Sequence, residues 1–334
     1  MPHPLRENET ITIVSFASQN PERQAELRSG VQRVIKDRPY ELTFPCDETE
    51  ALQALPEAEI LLTWGSRFTE RVLQAATKLR WVHIGDAGVE RCLFPAMVAS
   101  DAVLTNSSGI HVQYMSEWAL AMLFYISQGL SEGEAWKHDR DWKLHKDAFI
   151  HRRFLLEGKR ALIVGYGQIG RAVAQKLLAL GVKCEGIVSR FRPAGIALHT
   201  IRKLPEIIRY FDIVVIALPF TPATENLFNR DLLQSMKPGS ALLNLARGKV
   251  VDEAALIEVL QYGPLSHAAL DVFAREPLPP DSPLFSLSNL VMTPHISGNF
   301  PEYTEAVQEL FLANLERYLA GQALNNVVDK VRGY

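Results

Sequence analysis

Cysteine is scarce in this 334-residue chain. The three, Cys46, Cys92 and Cys184, lie too far apart for a CxxC pair or a disulfide framework. That usage suits a reducing cytoplasm, with all three thiols expected to be buried as small apolar side chains. A charge bias is also missing. The 35 basic and 38 acidic residues give a formal net charge of -3, so no global field would draw nucleic acid or an anionic membrane. The apolar run Trp118–Ile126 falls far short of the roughly 20 residues a membrane helix needs. Met1–Thr10 is polar and lacks the apolar core of a secretion signal, so no export is expected. Low-complexity segments and repeats of domain-building period are lacking too. The nine histidines are scattered, and His138, His145 and His151 do not have HxxxH-type spacing, so no metal is expected. What is present is an ordinary globular balance, 47% hydrophobic and 22% charged. At roughly 150 residues per domain, the length suits two domains.

Short apolar strands alternate with helical patterns throughout. Ile11–Phe16, Ile60–Trp64, Trp81–Ile84 and Val103–Asn106 are strand candidates in the first third, with helix-forming stretches such as Thr69–Leu79 between them. A second series comprises Ala161–Gly165, Val182–Val188, Ile213–Leu218, Ala241–Leu245, His267–Val272 and Leu290–Thr293, separated by helices at Gln168–Leu180, Pro205–Tyr210 and Glu253–Tyr262. Such alternation predicts parallel sheets covered on both faces. A long helix is expected over about His111–Gly129, and the charged, His-rich segment Ser131–Arg153 reads as an exposed arm. The last helix, about Pro301–Ala320, is expected to start with Asn299 as its cap and Glu302 completing a capping box. The expected fold class is α/β, with two doubly wound domains. The boundaries are 1–108 with 299–334 for one domain and 109–298 for the other.

Gly165-Tyr166-Gly167-Gln168-Ile169-Gly170 links a buried strand to a helix. Gly165 permits the tight turn, Gly167 lets backbone amides approach a pyrophosphate, and Gly170 lets the helix pack on the strand. The helix start, with Gln168 and Ile169, presents unpaired N–H groups to the phosphate. The following strand ends at Ser189-Arg190-Phe191-Arg192. In an NAD site that edge usually carries an acid for the ribose 2′-hydroxyl. Here Ser189 removes the repelling carboxylate, and Arg190 and Arg192 could pair with a 2′-phosphate, so NADP is expected to be preferred, with NAD possible. Glu185 lies at the usual sequence distance but mid-strand.

The ordered motifs Gly165–Gly170, Leu218-Pro219 with Thr224, Asn244–Gly248, Ala269–Phe273, Glu276-Pro277-Leu278 and Thr293-Pro294-His295 resemble those of the D-isomer-specific 2-hydroxyacid dehydrogenases over nearly the whole chain. The resemblance implies an oxidoreductase that reversibly reduces a 2-oxo acid to the (R)-2-hydroxy acid, as in glyoxylate and hydroxypyruvate reductases. It also implies a Rossmann cofactor domain inserted into a flavodoxin-like substrate domain, cytoplasmic and commonly homodimeric. Arg247 suits the substrate carboxylate, because a guanidinium fork matches it and keeps its charge. His295 suits proton donation. Glu276 would hydrogen-bond the other ring nitrogen and favour the protonated imidazole.

By resemblance, the backbone at Gly88 and Val89 would receive the substrate carboxylate. Asp271 would stand near the nicotinamide carboxamide, and Leu218, Pro219, Thr224 and Ala246 beside the cofactor. Formate dehydrogenases usually carry Gln in the place of Glu276, so formate is not expected. The chain ends at Gly333-Tyr334, and the expectation is that it lacks the C-terminal regulatory domain of longer phosphoglycerate dehydrogenases. Ser116 precedes Glu117 where many relatives have another small residue, and Glu117 is expected to be structural. Trp64, Phe68, His83 and Trp142 are pocket-shaping candidates, with core or surface packing as their other reading. The alternative function is a nucleotide-sensing binding protein like the family-related corepressors.

Overall fold

A computed structural model describes residues 10–191 and 193–333. The first part of the chain runs β1 (Ile11–Phe16), α1 (Pro21–Ile35), β2 (Tyr40–Thr43), α2 (Glu48–Ala54), β3 (Ile60–Thr63), α3 (Glu70–Ala75), β4 (Trp81–Ile84), α4 (Pro95–Ala99) and β5 (Val103–Asn106). The middle runs α5 (Val112–Ser127), α6 (Ser131–Asp139), α7 (Trp142–Arg152), β6 (Arg160–Val164), α8 (Gln168–Ala179), β7 (Lys183–Val188), β8 (Ala197–Thr200) and α9 (Leu204–Ile207). It continues through β9 (Ile213–Ile216), α10 (Arg230–Gln234), β10 (Ser240–Asn244), α11 (Glu253–Tyr262), β11 (Leu265–Leu270) and β12 (Leu290–Met292), before α12 (Tyr303–Leu319) closes the chain.

Residues 1–110 with 300–334 form one compact unit and residues 111–299 a second. The first holds a parallel sheet in the order β2-β1-β3-β4-β5. That order reverses between β1 and β3, as in flavodoxin-like sheets. The second holds the parallel sheet β12-β11-β10-β9-β6-β7-β8. Read from β6 outward, this is the doubly wound dinucleotide order with an added edge strand, and its reversal lies between β6 and β9. The expected α/β class is therefore what the chain adopts.

Strands buried on both faces explain the uninterrupted apolar runs: Ile60–Thr63, Ala161–Val164 and Ile213–Ile216 are buried throughout. In the first unit, Trp81 stacks on Phe311 (centroids 5.1 Å) and Tyr318 (5.5 Å), fixing α12 to the sheet. Gly30 of α1 faces Leu312, whose Cδ1 would lie 2.4 Å from a Cβ, so the two helices approach closely.

Two local expectations are corrected, and two features that the sequence left open are filled in. Ser131–Arg153, expected as an exposed arm, is built of two helices, α6 and α7, with Trp142, Leu144 and Ile150 exposed. Asp141 caps the second by accepting from the Leu144 N–H (3.0 Å). The short edge strand β8, half exposed and four residues long, was too weak a pattern to read. The last helix starts at Tyr303 behind Glu302 and has no side-chain cap, so neither Asn299 nor a capping box opens it. Pro301 disfavours helical backbone at Phe300, and the start is held instead by the Tyr303 hydroxyl donating to Gly85 O (3.2 Å). All three cysteines are free, but only Cys92 and Cys184 are buried. Burial pushes those thiols up to about 12 and about 11. Cys46 is exposed just before α2, where its N–H donates to Glu50 Oε2 (2.8 Å).

Among the described residues, no helix is long and apolar enough to cross a membrane.

Candidate active site

The C-terminal edge of the seven-stranded sheet collects most of the candidate residues. After β6, Gly165 takes φ +104°, and a Cβ there would lie 2.5 Å from Leu218 N and 2.6 Å from Ala217 O. Both the left-handed backbone and the closeness of the neighbouring strand therefore demand glycine. At Gly170 a Cβ would lie 2.2 Å from Gly165 O, so α8 sits directly against the turn. Gly167 differs: nothing lies within 4 Å of a Cβ there. It is the N-cap of α8 and brings no side-chain cap. An open approach to the first N–H groups of a helix, bounded by two forced glycines, suits a dinucleotide pyrophosphate. Gln168 is exposed and Ile169 half-buried on the first turn.

At the end of β7, Ser189 and Arg190 are exposed; Arg192 lies outside the described residues. Glu185 is already engaged, by Arg160 Nη2 and His199 Nε2, each at 2.7 Å. Burial alone would raise its carboxyl, but the His199 and Arg160 hydrogen bonds outweigh it and hold it below its ordinary value. After β9, Leu218 is buried and Pro219 exposed. The Thr224 hydroxyl closes that loop, donating to Pro219 O (2.9 Å) and accepting the Thr221 N–H (2.8 Å).

Asn244 ends β10 and brackets the next turn. Its Oδ1 accepts the Ala246 N–H (3.0 Å), and its Nδ2 donates to Arg247 O (3.1 Å). Ala246 is buried and Arg247 half-buried, with Nη1 donating to Ala246 O (2.8 Å). Gly248 then lies backbone to backbone against the loop after β11: a Cβ there would fall 1.9 Å from Phe273 C. This packing sets the Arg247 turn beside the loop carrying Glu276.

Glu276 uses both oxygens. Oε1 accepts the Phe273 N–H (3.0 Å), and Oε2 stands 2.7 Å from His295 Nδ1. An ionised carboxylate only accepts, so Nδ1 carries the proton and Nε2 remains for another partner. The His295 side chain is 46% exposed, which leaves that ring reachable. Its backbone is unusual, with φ +54°, a region that side-chain-bearing residues rarely occupy. The turn is held from Asp271, which is fully buried. Asp271 O accepts the His295 N–H (2.8 Å), and Oδ1 accepts the Thr293 hydroxyl (2.6 Å) and the Ile296 N–H (2.9 Å). Oδ2 accepts the Ser297 N–H (2.9 Å).

In the first unit, Gly88 and Val89 follow β4. Val89 is buried and Gly88 half-buried, and the loop is braced by Asn106 Nδ2 donating to Ala87 O (2.7 Å). The aromatic candidates separate. Phe68 is core, and His83 is a fully buried residue between Thr105 Oγ1 (2.8 Å) and Ser107 Oγ (3.2 Å). Trp64 is half-buried with its indole N–H on Ala17 O (2.5 Å), and Trp142 is an exposed surface residue edge-on to Trp136. Glu117 pairs with Lys176 at 3.3 Å. Asn244 and Gly248, which the sequence offers only as the ends of one motif, are the residues that shape this turn, and Gly after Arg and Asn at a strand end are local turn signals.

A family model for the NAD-binding domain of D-isomer-specific 2-hydroxyacid dehydrogenases matches residues 120–297. A glyoxylate reductase of Pyrococcus furiosus is 32% identical over 286 residues, 84% of this chain and 84% of that protein. The chain belongs to the D-isomer-specific 2-hydroxyacid dehydrogenases. A D-3-phosphoglycerate dehydrogenase of Mycobacterium bovis is also 32% identical, over 287 residues that make up 85% of this chain and 53% of that protein. The chain thus spans about half the length of some curated relatives it matches. Among solved structures, a D-isomer-specific 2-hydroxyacid dehydrogenase from Xanthobacter autotrophicus Py2, in complex with NADPH and MES, superposes with a TM-score of 0.81. It is 27% identical and covers 98% of this chain and 100% of that one. Membership in this dehydrogenase family makes the glycine turn part of a nicotinamide-dinucleotide domain.

Proposed function

We propose that this dehydrogenase reduces a small 2-oxo acid, such as glyoxylate or hydroxypyruvate, to the (R)-2-hydroxy acid, with NADPH preferred over NADH. The observation that carries the reading is the Glu276–His295 pair, 2.7 Å apart, on the same sheet edge as Arg247 and the glycine turn. The 111–299 unit is read as the cofactor domain and the 1–110 with 300–334 unit as the substrate domain, close to the sequence boundaries 109–298, 1–108 and 299–334.

When bound, the nicotinamide supplies the hydride. The turn from Gly165 through Gln168, Ile169 and Gly170 is assigned the pyrophosphate. Ser189 and Arg190 are assigned the 2′-phosphate, and Leu218, Pro219, Thr224, Ala246 and Asp271 the flanks of the dinucleotide. Arg247 holds the substrate carboxylate and polarises the adjacent carbonyl. His295 gives its Nε2 proton to the forming alkoxide oxygen, and Glu276 stabilises the imidazolium before that transfer. The Gly88–Val89 amides are the first unit's candidates for the carboxylate.

NADP preference is supported by Ser189 at the strand end, by Glu185 being occupied elsewhere, and by the NADPH in the related Xanthobacter structure. A second copy of the chain is the expected partner. Exposed Trp136, Trp142, Leu144 and Ile150 on α6 and α7 support that reading. The compared relatives are enzymes by name, which does not favour the nucleotide-sensing alternative.

The test follows loss of NADPH and NADH absorbance against a panel of 2-oxo acids. Turnover of a small 2-oxo acid, faster with NADPH, is expected. Absence of turnover with every acid and both cofactors would overturn the proposal, and a preference for NADH would overturn its cofactor half.

A further inference from the structure

The Asp271 carboxylate is fully buried and accepts three donors, all from the segment 293–297 that carries His295. A third side chain reaches this cluster from α5. The Trp118 indole N–H donates to Thr293 Oγ1 (2.9 Å). Trp118 is itself buried. An indole N–H has no acceptor function, so the Thr293 oxygen must accept from it. The single hydroxyl proton is thereby directed to Asp271, as the short 2.6 Å contact also indicates. The order of donors runs one way, from Trp118 through Thr293 to Asp271.

That carboxylate ties down a turn that local bonding supports only in part, through the His295 N–H shared between Asp271 O (2.8 Å) and Thr293 O (3.0 Å). His295 holds φ +54°, which a β-carbon disfavours and which persists only when its surroundings over-determine it. The backbone N–H groups of residues 295, 296 and 297 all end on Asp271. If the turn relaxed to an ordinary backbone region, those bonds would be lost together and the imidazole would swing away from Glu276.

We propose that Trp118 and Thr293 are positioning residues that lock the left-handed turn at His295 through Asp271, and so hold the imidazole where it can deliver its proton. This rests on the reading of His295 as proton donor. Neither residue touches substrate in this account. Thr293 is more than packing: valine has nearly its shape but no hydroxyl, so it would leave the buried carboxylate one donor short.

The experiment compares Thr293→Val, Thr293→Ser and Trp118→Phe with the parent enzyme, using His295→Gln as the control. It measures kcat, KM for the 2-oxo acid and, by fluorescence, the dissociation constant of NADPH. For Thr293→Val, kcat should fall roughly ten- to a hundredfold, the cost of a small misplacement of a reacting group. NADPH affinity should stay within about twofold, because the phosphate cradle is untouched. Thr293→Ser, which restores the hydroxyl, should recover most of the loss, and Trp118→Phe should lower kcat in the same direction by less. If Thr293→Val folds poorly, the Ser and Phe variants carry the test: Ser must stay near the parent and Phe must lower kcat with cofactor affinity intact. The inference is overturned if kcat is unchanged in Thr293→Val and Trp118→Phe while His295→Gln is inactive. It is also overturned if Ser is as poor as Val, or if the loss is one of cofactor affinity. Activity retained in His295→Gln would instead sink the proton-donor reading on which it stands.

Discussion

His295 Nδ1 and Glu276 Oε2 are 19 residues apart in sequence and 2.7 Å apart in space. Glu276 is fixed from its other oxygen by the Phe273 N–H, and His295 from its backbone by Asp271, so both partners are anchored. In the proposed reduction the imidazole must start protonated, and a neighbouring negative charge favours that form. Glu276→Gln keeps the side chain's shape and an acceptor but removes the charge. The kcat for reduction should fall by roughly tenfold or more, the scale of one charge-assisted hydrogen bond, with little change in NADPH affinity. A kcat equal to the parent's would contradict the coupling.

Arg247 sits on a turn bracketed by Asn244. A guanidinium offers two parallel donors to a carboxylate, whereas a lysine offers a point charge. Arg247→Lys should therefore cost about a hundredfold or more in kcat/KM, comparable to losing a preorganised donor at a reacting oxygen. NADPH binding should survive. Near-normal turnover in the lysine variant would remove Arg247 from the proposed role.

The parts legible in the sequence were those whose physical demands are local. The spacing of Gly165, Gly167 and Gly170 between an apolar strand and a helix is a signal confined to one strand–turn–helix unit, and alternation of apolar runs implies parallel sheets. Glu276 and His295 were legible only through resemblance, since their meeting depends on two loops ordered by a third residue. Asp271 is read from the resemblance as standing near the nicotinamide carboxamide, and no local sequence signal tells that its carboxylate also gathers the His295 turn. Cys46, read as buried, and Asn299, read as a helix cap, failed for the same reason. Both rested on local pattern at sites where neighbouring segments decide the outcome.

Ser189 carries the cofactor preference if the 2′-phosphate reading holds. Ser189→Asp would place a carboxylate at the end of β7, repelling a 2′-phosphate and accepting from a 2′-hydroxyl. The ratio of kcat/KM for NADPH to that for NADH should fall by roughly tenfold or more, the scale of one charge-assisted contact. An unchanged ratio would mean that the strand end does not face the ribose.

Gly248 joins the Arg247 turn to the loop that leads into Glu276. Its missing side chain lets the two backbones touch, with a Cβ position only 1.9 Å from Phe273 C. No rotamer change relieves a clash with backbone, so Gly248→Ala must push the two loops apart. The expected cost is about 1–3 kcal/mol of stability, as for overpacking elsewhere, together with a loss of kcat/KM larger than that of NADPH affinity. Denaturant unfolding and steady-state kinetics on the same preparation would check both. A variant with native stability and kinetics would show that the loops are not in the contact described.

His83 provides a pH-dependent test of the first unit. Complete burial lowers its imidazole to about 3, against about 6.5 for an unfolded chain. Between those values the unfolded state binds a proton that the native state does not, so stability rises with pH across the window and is lost as pH falls from about 6.5 toward 3. The slope approaches about 1.4 kcal/mol per pH unit in the middle of the window. His83→Gln can keep polar contacts with Thr105 and Ser107 and has nothing to titrate there. Urea unfolding from about pH 7 to about pH 4 should therefore show the parent losing more stability than the variant, by roughly 1–3 kcal/mol. Glu185 and Asp212, whose carboxyls are held low, also lose stability on acidification, but equally in both proteins, so they cancel in the difference. Parallel loss in parent and variant would show that His83 is not held neutral by the sheet.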